Sequence, residues 1–236
     1  MNSITTFDIQ NLFSGDMVND FNINLPRPLD SKNTVFGLYG RNCIHAVSNL
    51  MRVIHPTKMT ALVPAYSCGD EIESIVRAGF EIIVYNVKSD LQVDLEDLIG
   101  RLSDNVGVIL VTHYFGFPQE EISKIKDLAK EKQVFLIEDC AHSLGSEFQN
   151  IPLGVTGDVS IFSFRKFFEI PHGAALCINN TEISPPEFTS PSSEVINFEL
   201  FLFLGQKNNF FPLGMPIKEI YSQAGKHYPN GHGPRL

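Results

Sequence analysis

No stretch of this sequence is long and apolar enough to cross a bilayer. Its most apolar late run, Val195 to Leu204, is too short and carries Glu199. Residues 1–20 lack a basic patch followed by an apolar core, so no secretory signal is expected. Metal-ligand spacing is missing too. The four cysteines, Cys43, Cys68, Cys140 and Cys177, are scattered, so the expectation is no metal and reduced thiols in a cytoplasmic protein. Positive charge is not in excess: the net charge of −9 argues against nucleic acid as the main partner. It leaves a small phosphorylated ligand open, since such a ligand needs only local donors. No repeat with a period of roughly 20–50 residues is visible. The 43% hydrophobic and 19% charged content exclude general disorder. What remains is a globular protein whose 236 residues suit one large domain or two modest ones.

The pattern along the chain is an alternation of strand and helix. Residues 1–34 carry Pro26, Pro28 and several Asn and Asp, and read as a loop-rich arm with a short helix near Thr6 to Leu12. A helix follows over Asn42 to Ile54, with Ile44, Val47, Leu50, Met51 and Ile54 on one face. Gly40 just before it is either a phosphate-facing helix start or an ordinary turn glycine. Strands are expected at 60–64, 81–86, 106–112, 134–137, 158–164 and 174–179, and helices at 69–78, 94–102 and 120–132. In the last helix Ile122, Ile125 and Leu128 should face inward. Such an order implies an α/β fold, a mostly parallel sheet with helices on both faces. Composition shifts at Thr181. Residues 181–193 are rich in Pro and Ser and read as a linker. Residues 194–236, with Phe198, Phe201, Phe203, Phe210 and Phe211, hold one plausible helix at 194–204 and are too few for an independent domain.

Chemistry gathers where Val134-Phe135-Leu136-Ile137 runs into Glu138-Asp139-Cys140-Ala141-His142. Ligands of open α/β sheets collect at the carboxyl ends of strands. A strand-end Asp139, a nearby His142 and the downstream Ser163-x-x-Lys166 are the parts a pyridoxal phosphate site requires. The lysine bonds the cofactor aldehyde, the aspartate keeps the pyridine nitrogen protonated, and the serine helps hold the phosphate.

These motifs carry a resemblance. The run from about Val35 to Asn180 resembles the large domain of the DegT/DnrJ-type sugar aminotransferases, members of the fold-type-I aspartate aminotransferase superfamily that use pyridoxal phosphate. The matches come in order: Gly40-Arg41-Asn42-Cys43, Val63-Pro64-Ala65-Tyr66-Ser67, Ala78-Gly79-Phe80-Glu81 and Thr112-His113-Tyr114-Phe115-Gly116. Then come Glu138 to His142, Gly157 to Phe164, Lys166 and Gly173.

The resemblance implies Lys166 as the lysine bonded to the cofactor and Asp139 as the carboxylate facing the pyridine nitrogen. It places His142 beside the ring hydroxyl, Ser163 on the phosphate, and the amides of Asn42 and Cys43 in the phosphate cradle. Cys68 stands where most relatives stack an aromatic on the ring, which leaves Tyr66 as the nearest aromatic for that role. The chain departs from the pattern elsewhere. Ser163 and Lys166 are three positions apart where the family has five, Arg165 beside the lysine adds charge suited to a phosphate, and Gly173-Ala174 replaces a double glycine. The family's C-terminal small domain and its Asn-rich segment are not recognisable. The implied domains are a cofactor-binding large domain over 1–180 with its arm at 1–34, the linker, and a reduced C-terminal segment. The implied activity is transfer of an amino group from a donor such as glutamate to a keto sugar nucleotide, in a homodimer. A regulatory or catalytically impaired member that pairs with a full-length homologue is the alternative.

Overall fold

Strand parity decides where the side chains go in the computed structural model, which describes residues 27–29 and 33–186. These belong to one compact unit, Leu25–Phe188. The helices expected at 6–12 and 194–204 and the Phe-rich segment lie outside the described residues, as does the linker beyond residue 186. In chain order the elements are β1 (Thr34–Gly37), α1 (Gly40–Ile54), β2 (Thr60–Pro64), α2 (Asp70–Arg77) and β3 (Glu81–Tyr85). There follow α3 (Leu95–Arg101), β4 (Val106–Thr112), α4 (Ile122–Glu131), β5 (Phe135–Asp139) and the short pair β6 (Glu147–Phe148) and β7 (Ile151–Pro152). β8 (Val159–Ser163) and β9 (Ala174–Ile178) complete the set.

Seven of these strands form one sheet in the order β1-β9-β8-β5-β4-β2-β3. The pairs β2–β3, β2–β4, β4–β5 and β5–β8 are parallel, while β9 runs against both β8 and β1. Only β9 is reversed, so the carboxyl ends of β2, β4, β5 and β8 meet at one edge. β1 shares their direction and delivers the start of α1 to that edge.

The helices cover both faces, as the alternating pattern required. On one face α1 and α2 pack Ile44, Val47, Met51 and Ile75 against Ala61, Val63, Val108, Leu110, Phe135, Ile137 and Ile161. On the other, Leu98 of α3 and Ile122, Ile125 and Ala129 of α4 meet Leu62, Ile109, Val111 and Leu136. Each fully buried side chain of this kind contributes about 1.5–3 kcal/mol. Exposed ion pairs such as Lys124–Glu121 contribute at most about 1 kcal/mol each, so the two apolar layers set the stability.

Three local expectations change. Ile54 closes α1 beyond the sheet and is exposed, and Leu128 is only partly buried because Ala129 takes the inward position of that turn. Within the expected 181–193 linker, Ile183 packs into the α1 layer. The strand β1 and the β6–β7 hairpin were not anticipated.

Parity switches once, at a bulge. Thr60 pairs with Val106 and Ala61 with Val108, so Gly107 is the extra residue on β4. A Cβ at Gly107 would sit 2.5 Å from the Lys58 backbone oxygen, which has no room to yield. Gly107→Ala should therefore lower the unfolding free energy by about 1–3 kcal/mol. The readout is a reduced urea midpoint at unchanged slope; an unaltered midpoint would show that the bulge is slack.

Candidate active site

The same parity builds the site. Asp139 continues the Phe135–Ile137 row and Ser163 the Val159–Ile161 row, so both emerge on the α1 face at the carboxyl edge of the sheet. Gly40, the first residue of α1, lies at that edge, and the three line one cleft together with Lys166. Lys166 ends a single 3-10 turn, Phe164–Lys166, that leaves β8 directly. The turn is closed by Phe167 and Phe168, whose N–H groups donate to the Phe164 carbonyl at 2.9 Å each. The three-residue spacing from Ser163 thus still delivers the lysine to the cleft.

Asp139 is buried, and one oxygen accepts the Ala141 N–H at 2.9 Å. Burial pushes its carboxyl above the ordinary carboxylate range. The Ala141 N–H opposes this, the negative charge of Glu71 adds to it, and Lys166 and His113 pull back weakly. Lys166 Nζ donates to His142 Nε2 at 2.9 Å. One face of that ring is stacked by Phe115, with centroids 5.5 Å apart and planes inclined by 7°. Burial, then the Lys166 charge, hold the imidazole below its usual pKa, so His142 is a neutral acceptor at physiological pH.

Three expected contacts fall elsewhere. The N–H groups of Asn42 and Cys43 both point at the Tyr39 carbonyl, at 3.0 and 3.3 Å, inside the first turn of α1. Cys43 is fully buried against the sheet, and the helix start meets the cleft through Gly40 and Arg41. Tyr66 is half exposed and lies against Tyr114, centroids 5.3 Å apart, while its carbonyl accepts the Tyr114 hydroxyl at 2.6 Å. That bond turns the strand-to-helix loop so that Cys68 forms the cleft wall.

Glu71 escaped the sequence reading. Its carboxylate accepts Ser67 Oγ at 2.6 Å, Cys68 Sγ at 2.7 Å and the Cys68 N–H at 3.2 Å. Burial works to raise its pKa, but the bonds from Cys68 and Ser67 prevail and the group stays below the ordinary value. The Ser67-Cys68-x-x-Glu71 spacing at a helix start was the available signal. Among the described residues His113, Glu138 and Cys140 also stand close enough to share a metal ion. Both ring nitrogens of His113 are already bonded, however, to Glu138 Oε2 and the Gln119 N–H, and burial holds the Cys140 thiol protonated.

Solved structures share this arrangement of strands and helices. A Helicobacter pylori aminotransferase of pseudoaminic acid biosynthesis, PseC, superposes with a TM-score of 0.60 at 19% identity, covering 75% of this chain and 46% of that one. 3-Amino-5-hydroxybenzoic acid synthase does so with a TM-score of 0.59 at 21% identity, over 71% and 44%. The fold is that of the aminotransferases. The profile of the DegT/DnrJ/EryC1/StrS aminotransferase family matches residues 6–184, and the chain belongs to that family. A Campylobacter jejuni UDP-4-amino-4,6-dideoxy-N-acetyl-beta-L-altrosamine transaminase is 36% identical over 111 residues, 45% of this chain and 29% of its own. GDP-perosamine synthase of Vibrio cholerae is 28% identical over 124 residues, 52% and 34%. The chain thus spans about a third of the length of these curated relatives. No helix among the described residues is long and apolar enough to cross a membrane.

The raised carboxyl of Asp139 gives a sign that can be measured. A carboxyl whose pKa is raised by folding stabilises the fold below its ordinary pKa, and the contribution is lost as pH rises through the raised value. In the protein without added ligand, Asp139→Asn removes that loss, and its amide oxygen can still accept from Ala141. The variant should melt higher than the parent at pH 7, by about 2–4 °C for each kcal/mol relieved in a chain of this size. The gap should close near pH 4 and below. A variant that melts lower at pH 7 would mean that the carboxylate is held by a favourable charge.

Proposed function

We propose that this chain binds pyridoxal phosphate through Lys166 and is the cofactor-binding part of a transaminase. The reaction moves an amino group from an amino acid, glutamate being the typical donor, to a keto sugar carried on a nucleotide. The observation that carries the reading is the meeting of Asp139, Ser163 and Lys166 in one cleft at the carboxyl edge of a parallel sheet. The donor set fits the cofactor. Asp139 is a buried carboxyl with only a backbone partner, which a protonated ring nitrogen would complete. The Lys166 amine stands in the cleft beside a neutral histidine. Gly40 brings a helix start and Ser163 a hydroxyl to the same cleft, the two kinds of donor a phosphate takes.

Bound there, the cofactor supplies an electron sink at the carbon that bears the amine. The residues of the chain do the rest. Lys166 is the amine that would hold the cofactor and, when free, the base that would take and return a proton at its Nζ. His142 orients that amine through its 2.9 Å bond and, being neutral, accepts a hydrogen without competing for charge. Asp139, buried at the end of β5, would hold the positive charge of the ring nitrogen. The sugar-nucleotide substrate class is suggested by the names of the curated relatives.

A second copy of the chain suits the exposed apolar side chains on the loops around the site. Phe117, Phe167 and Phe168 are 69%, 42% and 56% exposed, two of them directly after Lys166. The rival reading, a regulatory partner of a full-length homologue, keeps cofactor binding and loses turnover.

The test is the absorption of the purified protein with pyridoxal phosphate, followed by borohydride. A band near the visible edge should disappear on reduction and leave the cofactor fixed on the peptide that contains Lys166. Label on another lysine, such as Lys132, or no label, would end the assignment. Turnover of glutamate with a keto sugar nucleotide then separates the transaminase from the regulatory partner.

A further inference from the structure

Two loops at the carboxyl edge of the sheet meet through a pair of flat rings. Phe115 belongs to the turn after β4 and His142 to the loop after β5. Their ring centroids are 5.5 Å apart and their planes are 7° from parallel. The loops are also tied beside the rings, where the hydroxyl of Ser143 donates to the His113 carbonyl at 3.1 Å. Folding gives little reason for a phenylalanine at position 115. Its backbone is left-handed, φ 54° and ψ 24°, a conformation that glycine or asparagine adopts at less cost than a bulky side chain. The residue is 59% exposed, so much of the burial that would offset the strain is not made.

What the ring does meet is His142. That imidazole is half-buried, and its outer torsion is of the broad, two-fold kind. A parallel aromatic neighbour restricts the torsion. It also takes water off one face of the ring, and burial is the largest cause that holds the His142 pKa below its usual value. The charges that reach the imidazole are Lys166, which acts in the same direction, and Glu71, which opposes it. Nε2 therefore faces Lys166 Nζ as an acceptor, at 2.9 Å, and the ring hydrogen belongs on Nδ1. We propose that Phe115 is a positioning residue for the His142–Lys166 pair: its ring fixes the imidazole plane, so that Nε2 stays turned to the lysine amine. The inference rests on the proposed chemistry only for its consequence in turnover. There Lys166 takes a proton at Nζ, and the ammonium so formed has three hydrogens to place. A neutral imidazole held in line receives one of them and adds no second charge. Freed from the stack, the ring would turn away or gain a proton, and a protonated ring repels the ammonium.

F115G and F115Y test this in the full chain. Glycine removes the ring and suits the left-handed backbone, so the variant keeps its turn. Tyrosine restores the stack. The first readout needs no cofactor: nitrogen NMR of protein labelled at histidine, with H142Q to assign the His142 signals. In wild type the neutral His142 ring should carry its hydrogen on Nδ1 and titrate below the ordinary histidine value. In F115G the two nitrogen shifts should move toward the average of an unrestrained imidazole, and the midpoint should rise toward the ordinary value. F115Y should match wild type. The second readout is turnover. F115G should lower kcat about ten- to hundredfold at unchanged KM, and F115Y should recover it. The proposal is overturned by F115G signals that match wild type, by a wild-type ring protonated on Nε2, or by an F115Y that restores nothing. An unchanged kcat beside altered signals overturns it as well. Altered signals in a protein whose Lys166 never takes up pyridoxal phosphate keep the positioning role and remove the cofactor reading.

Discussion

The position of the whole site depends on one buried carboxylate that takes no part in it. Glu138, 1% exposed, accepts N–H bonds from Thr156 at 2.8 Å and from Gly157, and a third from His113 Nε2 at 2.8 Å. Left without donors, such a group would cost several kcal/mol, so the loops that supply them are fixed. The Gln119 N–H donates to His113 Nδ1, which leaves the hydrogen of that ring on Nε2, facing Glu138. Gln119 in turn donates to the Thr112 and Leu91 carbonyls and accepts from the Val93 N–H. Three separate loops are thereby tied to the end of β5. Because alternate residues of a strand face opposite ways, fixing Glu138 on the α4 face sends Asp139 to the α1 face. A structural acid and a chemical acid stand side by side in sequence and on opposite sides of the sheet.

The strained turn beside His142 follows from the same network. Phe115 has a left-handed backbone, φ 54°, which for a bulky side chain costs about 1–3 kcal/mol and persists only where its surroundings over-determine it. They do. His113 before it is bonded on both ring nitrogens, the Ser143 hydroxyl donates to the His113 carbonyl, and the Phe117 N–H closes onto the Tyr114 carbonyl. Gly116 is needed next to it, since a Cβ there would stand 3.2 Å from the His142 carbonyl oxygen. The strain is spent on laying the Phe115 ring flat against His142, whose Nε2 meets Lys166.

How much of this was legible depends on the range of the forces involved. The parallel sheet and its covering helices were readable because burial on a strand or helix face writes a period into the sequence. Val106 to Thr112 and Val134 to Ile137 are unbroken apolar runs bounded by polar ones. The strand-end positions of Asp139 and Ser163, which bring them to the cleft that Lys166 also lines, were legible for the same reason. β1 was not, because four residues carry too little period and its partner β9 is 137 positions away in sequence at Gly37↔Ala174. Loop side chains were the least legible. Whether Tyr66 or Cys68 faces the cleft is decided by a hydrogen bond from Tyr114, and whether Arg41 or Asn42 does so is decided by how far α1 extends toward Tyr39. Neither bond leaves a local pattern in the sequence.

The cleft's electrostatics follow from which acids already have partners. Asp70 is paired with Arg41, and Glu71 holds two side-chain donors and a backbone one. Asp139 is buried with a single backbone donor, and its carboxyl is pushed toward its protonated form, whereas that of Glu71 is held below the ordinary value. An acid left in that condition lowers the stability of the fold at neutral pH, so its presence needs a reason outside folding. The basic groups of the cleft are arranged in a complementary way: Lys166 meets a neutral imidazole, and two guanidinium groups crowd one ring. A buried carboxyl with a raised pKa, sharing one cleft with a lysine and two arginines, marks a candidate functional site. A ligand that brings a cationic nitrogen to Asp139, a carbonyl carbon to Lys166 and an anion to the arginines removes all three imbalances at once. Among small molecules that description suits the phosphorylated pyridine aldehyde proposed above as the cofactor.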